Sequence, residues 1–485
     1  MPHTPLSSEA RIEKLSKIRD GSENYGEKDI LWNYGQTASG SMELMPVFKI
    51  PLEYLVYNQR NGRILSRTLS HEANTSMIDA QSESGNKLIQ KFLYESAESK
   101  NKKTEIDIRK YGQKEVGIVT LDGIVIDGNR RLMTLNNIVA NPGDADVSNF
   151  NTFKAVILPA TLQDATAEVK RLETIYQMGE DEKANYNPIE KYLQAKELFD
   201  LKWTEKDVAS FMNIKKTDIQ KYAQTMALMD EYLEAYGYDS QYTQLDKRED
   251  YFLSLNKWLQ NFRGAQSARG HDGYTEMDVD LLQMVAFDYI RCFKALDGKD
   301  FRKIADGLQP SHIFGNKEIW HDFTEFHNNN IFPLRDQEPE INHEIEDMMN
   351  HLNDRDSKFY DASNKLLKDN FYESIQKLKY KKTHNQPSVQ INTIETITDQ
   401  INVKADTFKK PQTQRQLANV AKKIETMIVE SGGSSGKLTH IKKISTKLSD
   451  LIGTLSDEDL KDGKFLDQME ILSNLVNDLK TEAGG

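Results

Sequence analysis

The sequence predicts a mixed α+β protein, and three observations predict it. Short runs of β-branched and aromatic residues fall at 46–56, 117–126 and 153–159, all before residue 185. Beyond that point apolar residues recur every three or four positions, which is helical spacing. The last quarter holds three amphipathic stretches. The expected architecture is a small mixed α/β domain, then a helix-turn-helix, then a long all-helical C-terminal part. A chain of 485 residues, at about 150 per domain, has room for roughly three such units.

The elements follow in order. Residues 1–40 read as a short helix at about 8–20 and a flexible lead-in rich in Gly and Ser. PVFKIPLEYLV, at 46–56, suits an edge strand or a strand end around Pro51. Asn61-Gly62 marks a turn between Arg60 and Arg63. Residues 65–112 are polar and mostly helical in pattern. The runs 117–121 and 124–126 flank Asp122-Gly123, a hairpin signal. After Asp127-Gly128 the period changes, and Leu132, Leu135 and Ile138 place a helix start near Asn129. FKAVILP reads as a buried strand, followed by a helix over about 161–178.

Asn187-Pro188 then opens a helix, with proline in the first turn. A helix pair at 204–212 and 217–230, turning at Asn213-Ile214, fits a helix-turn-helix with Ala209 at the crossing. Residues 250–380 are helical in period, and 386–403 read as β-prone or as a linker. The apolar seams of the last quarter are Leu417, Val420, Ile424, Met427; then Leu438, Ile441, Ile444, Leu448, Leu451; then Leu466, Met469, Leu472, Val476, Leu479. The domains are therefore expected at 1–40, 41–165, 166–235, 236–385 and 386–485.

Composition narrows the function. The 63 Lys and Arg stand against 75 Asp and Glu, a net charge of −12, so the chain is not a polycation that coats nucleic acid. Any DNA contact must come from a local basic surface. Cys292 is the only cysteine, which excludes an intrachain disulfide and thiolate-rich zinc sites and points to a reducing compartment. No apolar run approaches the roughly 20 residues of a membrane span, and the N-terminus lacks a secretory core. A cytoplasmic protein with no membrane partner is expected.

Three constellations could carry chemistry. In Asp127-Gly128-Asn129-Arg130-Arg131 a strand delivers a glycine turn into a helix start, where free N–H groups and guanidinium groups suit phosphate. Asp127 could hold a metal or a hydroxyl. The alternative is an ordinary hairpin-to-helix turn with two solvated arginines. The segment from Tyr176 to Glu190 is by itself an acidic loop before a helix. In the helix pair, five lysines face three acids over 202–221, a local balance of +2. Lys215, Lys216, Thr217, Gln220 and Lys221, at and after the start of the second helix, could meet phosphates and base edges.

In this order, these features resemble the ParB/sulfiredoxin-like superfamily, and more closely its chromosome-partition ParB branch. The likeness covers about 46–235. Ile50-Pro51-Leu52 and Arg60 are similar to the family's opening strand and arginine loop. Gly128-Asn129-Arg130-Arg131 matches its Gly-Glu-Arg-Arg box, and Asn187-Pro188-Ile189-Glu190 its Asn-Pro-Ile-Glu helix start. The resemblance implies a nucleoside triphosphate, CTP or ATP, with Mg2+. Its binding residues would be Arg60, Arg63, Asp127, Gly128, Asn129, Arg130, Arg131, Glu173 and Gln177. It also implies DNA binding and a homodimer or higher homo-oligomer, for which the C-terminal seams are the natural interface.

Two departures stand out. The family's glutamate linked to hydrolysis is Asn129, a neutral amide that cannot act as a general base, which leaves Asp127 as the one catalytic candidate. The Glu-Asn-x-Gln-Arg motif is reduced to Glu173-Thr174-Ile175-Tyr176-Gln177, with an insertion up to Asn187, so the metal ligands stay open. The sulfiredoxin branch needs a cysteine in the phosphate loop, and Cys292 lies far away on an apolar helix. Three functions remain: a nucleotide-switched DNA-binding protein; a ParB-fold NTPase, nuclease or kinase of a mobile-element or phage-defence system; and a non-catalytic oligomeric scaffold.

Other signals are weaker. Ser431-Gly-Gly-Ser-Ser-Gly-Lys437-Leu438 lacks the P-loop's first glycine and its final hydroxyl. His312, His321 and His327 are spaced for packing or surface positions. His343 and His351, two helical turns apart, are too far apart for joint ligation.

Overall fold

The computed structural model describes residues 5–21, 23–32, 42–143, 146–180, 187–339, 348–383, 386–430, 434–456 and 461–483. They fall into two compact units, Met1–Lys382 and Thr383–Gly485. The fold is mixed α+β, with every strand of the described residues in the first 160 positions.

The first unit opens with α1 (Ser8–Arg19), capped by the Ser7 hydroxyl, which accepts from the Ala10 amide. Strands β1 (Glu27–Ile30), β2 (Glu43–Pro51) and β3 (Val56–Tyr57) follow, then α2 (Leu65–Asn74), α3 (Glu83–Ser96) and α4 (Glu98–Tyr111). The hairpin β4 (Gly117–Val119) and β5 (Ile124–Asp127) leads into α5 (Asn129–Ala140), and β6 (Thr152–Ile157) completes the sheet. The strand order is β1-β2-β6-β4-β5-β3, with parallel pairing of β4 to β6 and of β3 to β5.

The two-residue period of a strand sorts this sheet's side chains onto two faces. Phe48, Ile50, Val119, Val125, Phe153 and Ala155 pack with residues of α1, α3, α4 and α5. Met45, Val47, Ile118, Ile126 and Val156 face the other way, against Val169 and Leu172 of α6 (Thr166–Glu180). β2 is an interior strand rather than an edge, because β1 forms inside the expected flexible lead-in and covers it. Pro51 still ends the strand, where its missing N–H costs no ladder bond.

Helices α7 (Pro188–Asp200), α8 (Glu205–Phe211) and α9 (Lys216–Ala235) come next. Then follow α10 (Glu249–Phe262), α11 (Glu276–Arg291), α12 (Gly298–Arg302), α13 (Lys317–Asn330), α14 (Phe332–Asp336) and α15 (Met348–Thr383). The C-terminal half of α9 sits in their core, with Met229, Tyr232 and Leu233 among Phe252, Trp258 and Phe287. Cys292 lies in the same core, its thiol pushed up to about 12 by burial, which makes it a packing residue.

The second unit contains α16 (Pro387–Gln400), α17 (Pro411–Glu430), α18 (Ser434–Ile452) and α19 (Gly463–Ala483). α16 replaces the expected strand or linker at 386–403. Pro387 stands in its first turn, and the hydroxyls of Thr393, Thr396 and Thr398 donate to carbonyls one turn back, at 2.8, 2.8 and 2.6 Å. The glycine-lysine segment at 431–437 lies partly outside the described residues, and from Ser434 onward it is helix.

Phe153 tests the sheet. Its ring fills the space where Cβ atoms at Gly117 and Gly128 would stand, 2.4 and 2.7 Å away. Phe153→Ala is expected to cost about 3–5 kcal/mol by urea denaturation. A loss below about 1 kcal/mol would show that the ring is not the keystone of this packing.

Candidate functional site

The loop between β3 and α2 is held from three sides. Its centre is the carboxylate of Glu173 on α6, 2% exposed. Glu173 Oε1 accepts from Asn58 Nδ2, Asn61 Nδ2 and the Gly62 amide, each at 3.2 Å, and from Gln177 Nε2 at 2.9 Å. Its other oxygen lies 3.3 Å from Lys170 Nζ, which also reaches Glu197 Oε2 on α7 at 2.5 Å. Burial raises the Glu173 carboxyl above its ordinary value, against the pull of Lys170 and the Gly62 amide. Burial also works against the Lys170 ammonium, but Glu173 and Glu197 outweigh it and hold its pKa above that of an ordinary lysine.

Gly62 is required by close approach. A Cβ there would stand 1.7 Å from Gln194 Nε2 and 2.6 Å from Gln177 Oε1. Those two side chains are themselves joined by a 2.8 Å hydrogen bond between α7 and α6. Asn58 and Asn61 also brace the loop from within, accepting from the amides of Arg60 and Arg63 at 3.0 and 3.1 Å.

From the third side comes Asn129, at the start of α5. Its Oδ1 accepts from the Asn58 amide at 3.0 Å while its Nδ2 donates to the Val125 carbonyl at 2.6 Å. An amide makes both bonds; a carboxylate has no donor for Val125. Asn129 is thus a bracket between the loop and β5. Gly128 precedes it with φ +101°, the left-handed conformation that glycine adopts at low cost, and no side chain caps α5.

The structure therefore brings Arg60, Arg63, Gly128, Asn129, Arg130, Glu173 and Gln177 onto three adjoining elements. It treats Asp127 and Arg131 differently. Arg131 Nη2 donates to Asp127 Oδ2 at 2.7 Å, and Lys28 Nζ lies 3.9 Å from the same oxygen. The two residues are thus paired with each other across the turn. Arg60 pairs with Glu72 of α2 at 2.9 Å. Beside the loop lies a cavity of about 290 Å³ with Leu162, Val169 and Leu201 on its apolar wall and Asn58, Arg60 and Lys170 among its polar residues.

Several residues of this cluster were not among the sequence-derived site residues: Asn58, Asn61, Gly62, Lys170, Glu190, Gln194 and Glu197. Glu190, in the Asn-Pro-Ile-Glu start of α7, caps α2 from outside. It accepts from the Ser66 amide at 3.0 Å and the Ser66 hydroxyl at 2.6 Å, where Ile64 offers α2 no side-chain cap. The signal in the sequence was asparagine and glycine crowding in YNQRNGR, which marks a turn but not its partner.

Lys215, Lys216, Thr217, Gln220 and Lys221 are all exposed at and after the start of α9. Asn213, at φ +53°, makes the turn, and Val208, Ala209, Met212 and Ile219 form its core. Part of the basic charge is offset. Glu205 meets Lys216 at 3.5 Å and Gln220 at 3.0 Å, and Asp218 meets Lys221 at 3.7 Å.

Of the weaker signals, His312 and His327 are fully buried. His321 is exposed beside Asp322 and Glu325, and Lys377 already reaches Asp322 at 2.8 Å. His343 lies outside the described residues. Comparison of the chain with known protein families and with curated proteins finds no match.

Glu190 sets a pH dependence. Burial pushes its carboxyl up to about 7, against the two Ser66 hydrogen bonds. Its raised value means a contribution to stability that is full below about pH 4.3 and is lost as pH rises through about 7, of order 3 kcal/mol. Glu190→Gln should flatten the stability profile across this window. A profile as steep as that of the unsubstituted protein would contradict the assignment.

Proposed function

We propose that the chain is a nucleotide-dependent DNA-binding protein of ParB-like type, in which a nucleoside triphosphate at the 127–131 turn sets the conformation of the helices beyond it. The observation that carries this reading is the convergence on one loop. The 58–63 segment touches α5 through Asn129, α6 through Glu173, and, through Gly62 packed on Gln194, the α7 helix that leads into the helix-turn-helix. A ligand that moved the loop would strain all three.

The uncapped start of α5 fits phosphate, with Gly128 leaving the backbone accessible and Arg130 beside it. CTP and ATP both present that group. The fit to Mg2+ is poorer. Of the two carboxylates assigned to the site, Asp127 faces Arg131 and Glu173 faces Lys170, so neither is a free metal ligand. Bound nucleotide would supply the negative charge that Arg130 and the α5 amides are arranged to meet. This chain's residues would orient it and close the loop over it.

The hydrolytic reading is less favoured, because Asp127, its one candidate base, is paired with Arg131 at 2.7 Å. The scaffold reading has one observation in its favour, the mutual neutralisation of Asp127 and Arg131. DNA is assigned to the exposed start of α9. Homo-oligomer assembly is assigned to the second unit, where Leu417, Val420, Met427, Ile441, Ile444, Leu451, Leu466 and Val476 all stand exposed in a single copy. Among the described residues no helix is long and apolar enough to cross a membrane.

Arg130→Ala is expected to abolish the thermal shift given by nucleoside triphosphate while leaving the unliganded melting temperature within a few degrees. A charge-assisted phosphate contact contributes roughly 1.5–3 kcal/mol. An unchanged nucleotide-induced shift in the folded variant would remove the site from this turn.

A further inference from the structure

A second concentration of exposed positive charge lies outside the helix-turn-helix. Residues 401–450 carry ten Lys and Arg against four Asp and Glu, a balance of +6 within a chain of −12. Residues 451–485 reverse the sign, with three lysines against eight acids. In the described structure Arg415, Lys422 and Lys423 of α17 and Lys442, Lys443 and Lys447 of α18 are all exposed. None of the six has an ion pair with a described carboxylate. Lys216 and Lys221, at the helix-turn-helix, are each already faced by an acid.

We infer that the lysine-rich faces of α17 and α18 are a second polyanion-binding surface, and that its partner is the phosphate backbone of double-stranded DNA. Charge complementarity selects a polyanion. Six exposed cations on two helices would release counterions from a dense row of phosphates. The absence of aromatic residues from both helices selects a duplex over a single strand, since single-strand binding relies on stacking platforms. The same absence disfavours an anionic membrane, whose interfacial helices use Trp and Phe as well as leucine. Lysine without arginine pairs or amide ladders suits phosphate contact rather than base readout. The surface is therefore expected to bind without sequence preference, and it does not need the helix-turn-helix to be a DNA reader.

The test uses the full-length chain, two unrelated duplex DNAs, and a variant with Lys422, Lys423, Lys442, Lys443 and Lys447 changed to Gln. A matching Lys→Arg variant is the control for charge, and circular dichroism confirms that helix content is unchanged. The Gln variant should lose affinity for both duplexes equally. Its log–log salt slope should be shallower by about 2–4, at about 0.9 per phosphate contact. The Arg variant should restore both. An unchanged slope in the Gln variant overturns the proposal, as does failure of the full-length chain to bind duplex at low salt. Loss of binding to phosphatidylserine vesicles with no change toward duplex also overturns it, in favour of a membrane surface. A parallel variant, with Lys215, Lys216 and Lys221 changed to Glu, separates the two DNA assignments. If only that variant loses binding, the C-terminal surface falls and the helix-turn-helix stands. If only the Gln variant loses slope, the reverse holds.

Discussion

One buried carboxylate organises the candidate site. Glu173 is surrounded by four donors and a lysine: Asn58, Asn61 and Gly62 of the β3–α2 loop, and Gln177 and Lys170 of its own helix. Removing it would leave Lys170 short of one counter-charge and the loop amides without an acceptor. A broken buried pair of this kind costs about 3–5 kcal/mol, more than its intact counterpart contributes. The loop therefore keeps its shape only while α6 holds it, and α6 keeps its register on α7 through Lys170–Glu197 and Gln177–Gln194. The glycine at position 62 is the steric consequence, since the two glutamines occupy the space a side chain would need.

Two features of the α5 start follow from this arrangement in physical terms. Position 129 needs a group that donates to Val125 and accepts from Asn58 at once, and asparagine is the short side chain that does both. Arg131 folds back one turn onto Asp127, a pairing that the spacing of four along the chain allows and the partly dry setting strengthens.

The sequence made the β-branched strand runs, the hairpin at Asp122-Gly123, the α5 start and the Asn-Pro-Ile-Glu helix readable, because each rests on local rules of composition, period and turn chemistry. Asn187 is indeed the cap of α7, accepting from Ile189. What was not readable depends on distance along the chain. β1 lies in a segment whose composition suggests only a loop, and it exists because β2 offers a free edge. α16 is hidden in the sequence by its β-branched residues, which favour strand locally. Lys170 and Glu197 look like surface charges on two amphipathic helices until the helices pack. The positive half of the C-terminal unit is masked in the overall composition by the acidic half that follows it.

The central claim is that loop 58–63, the α5 start and α6 respond together to nucleotide. Amide hydrogen exchange on the full-length chain, with and without CTP or ATP and Mg2+, measures it most directly. The account predicts slower exchange at residues 58–63 and 129–132 on nucleotide addition, with α7 following. Unchanged exchange in both segments at saturating nucleotide would contradict it.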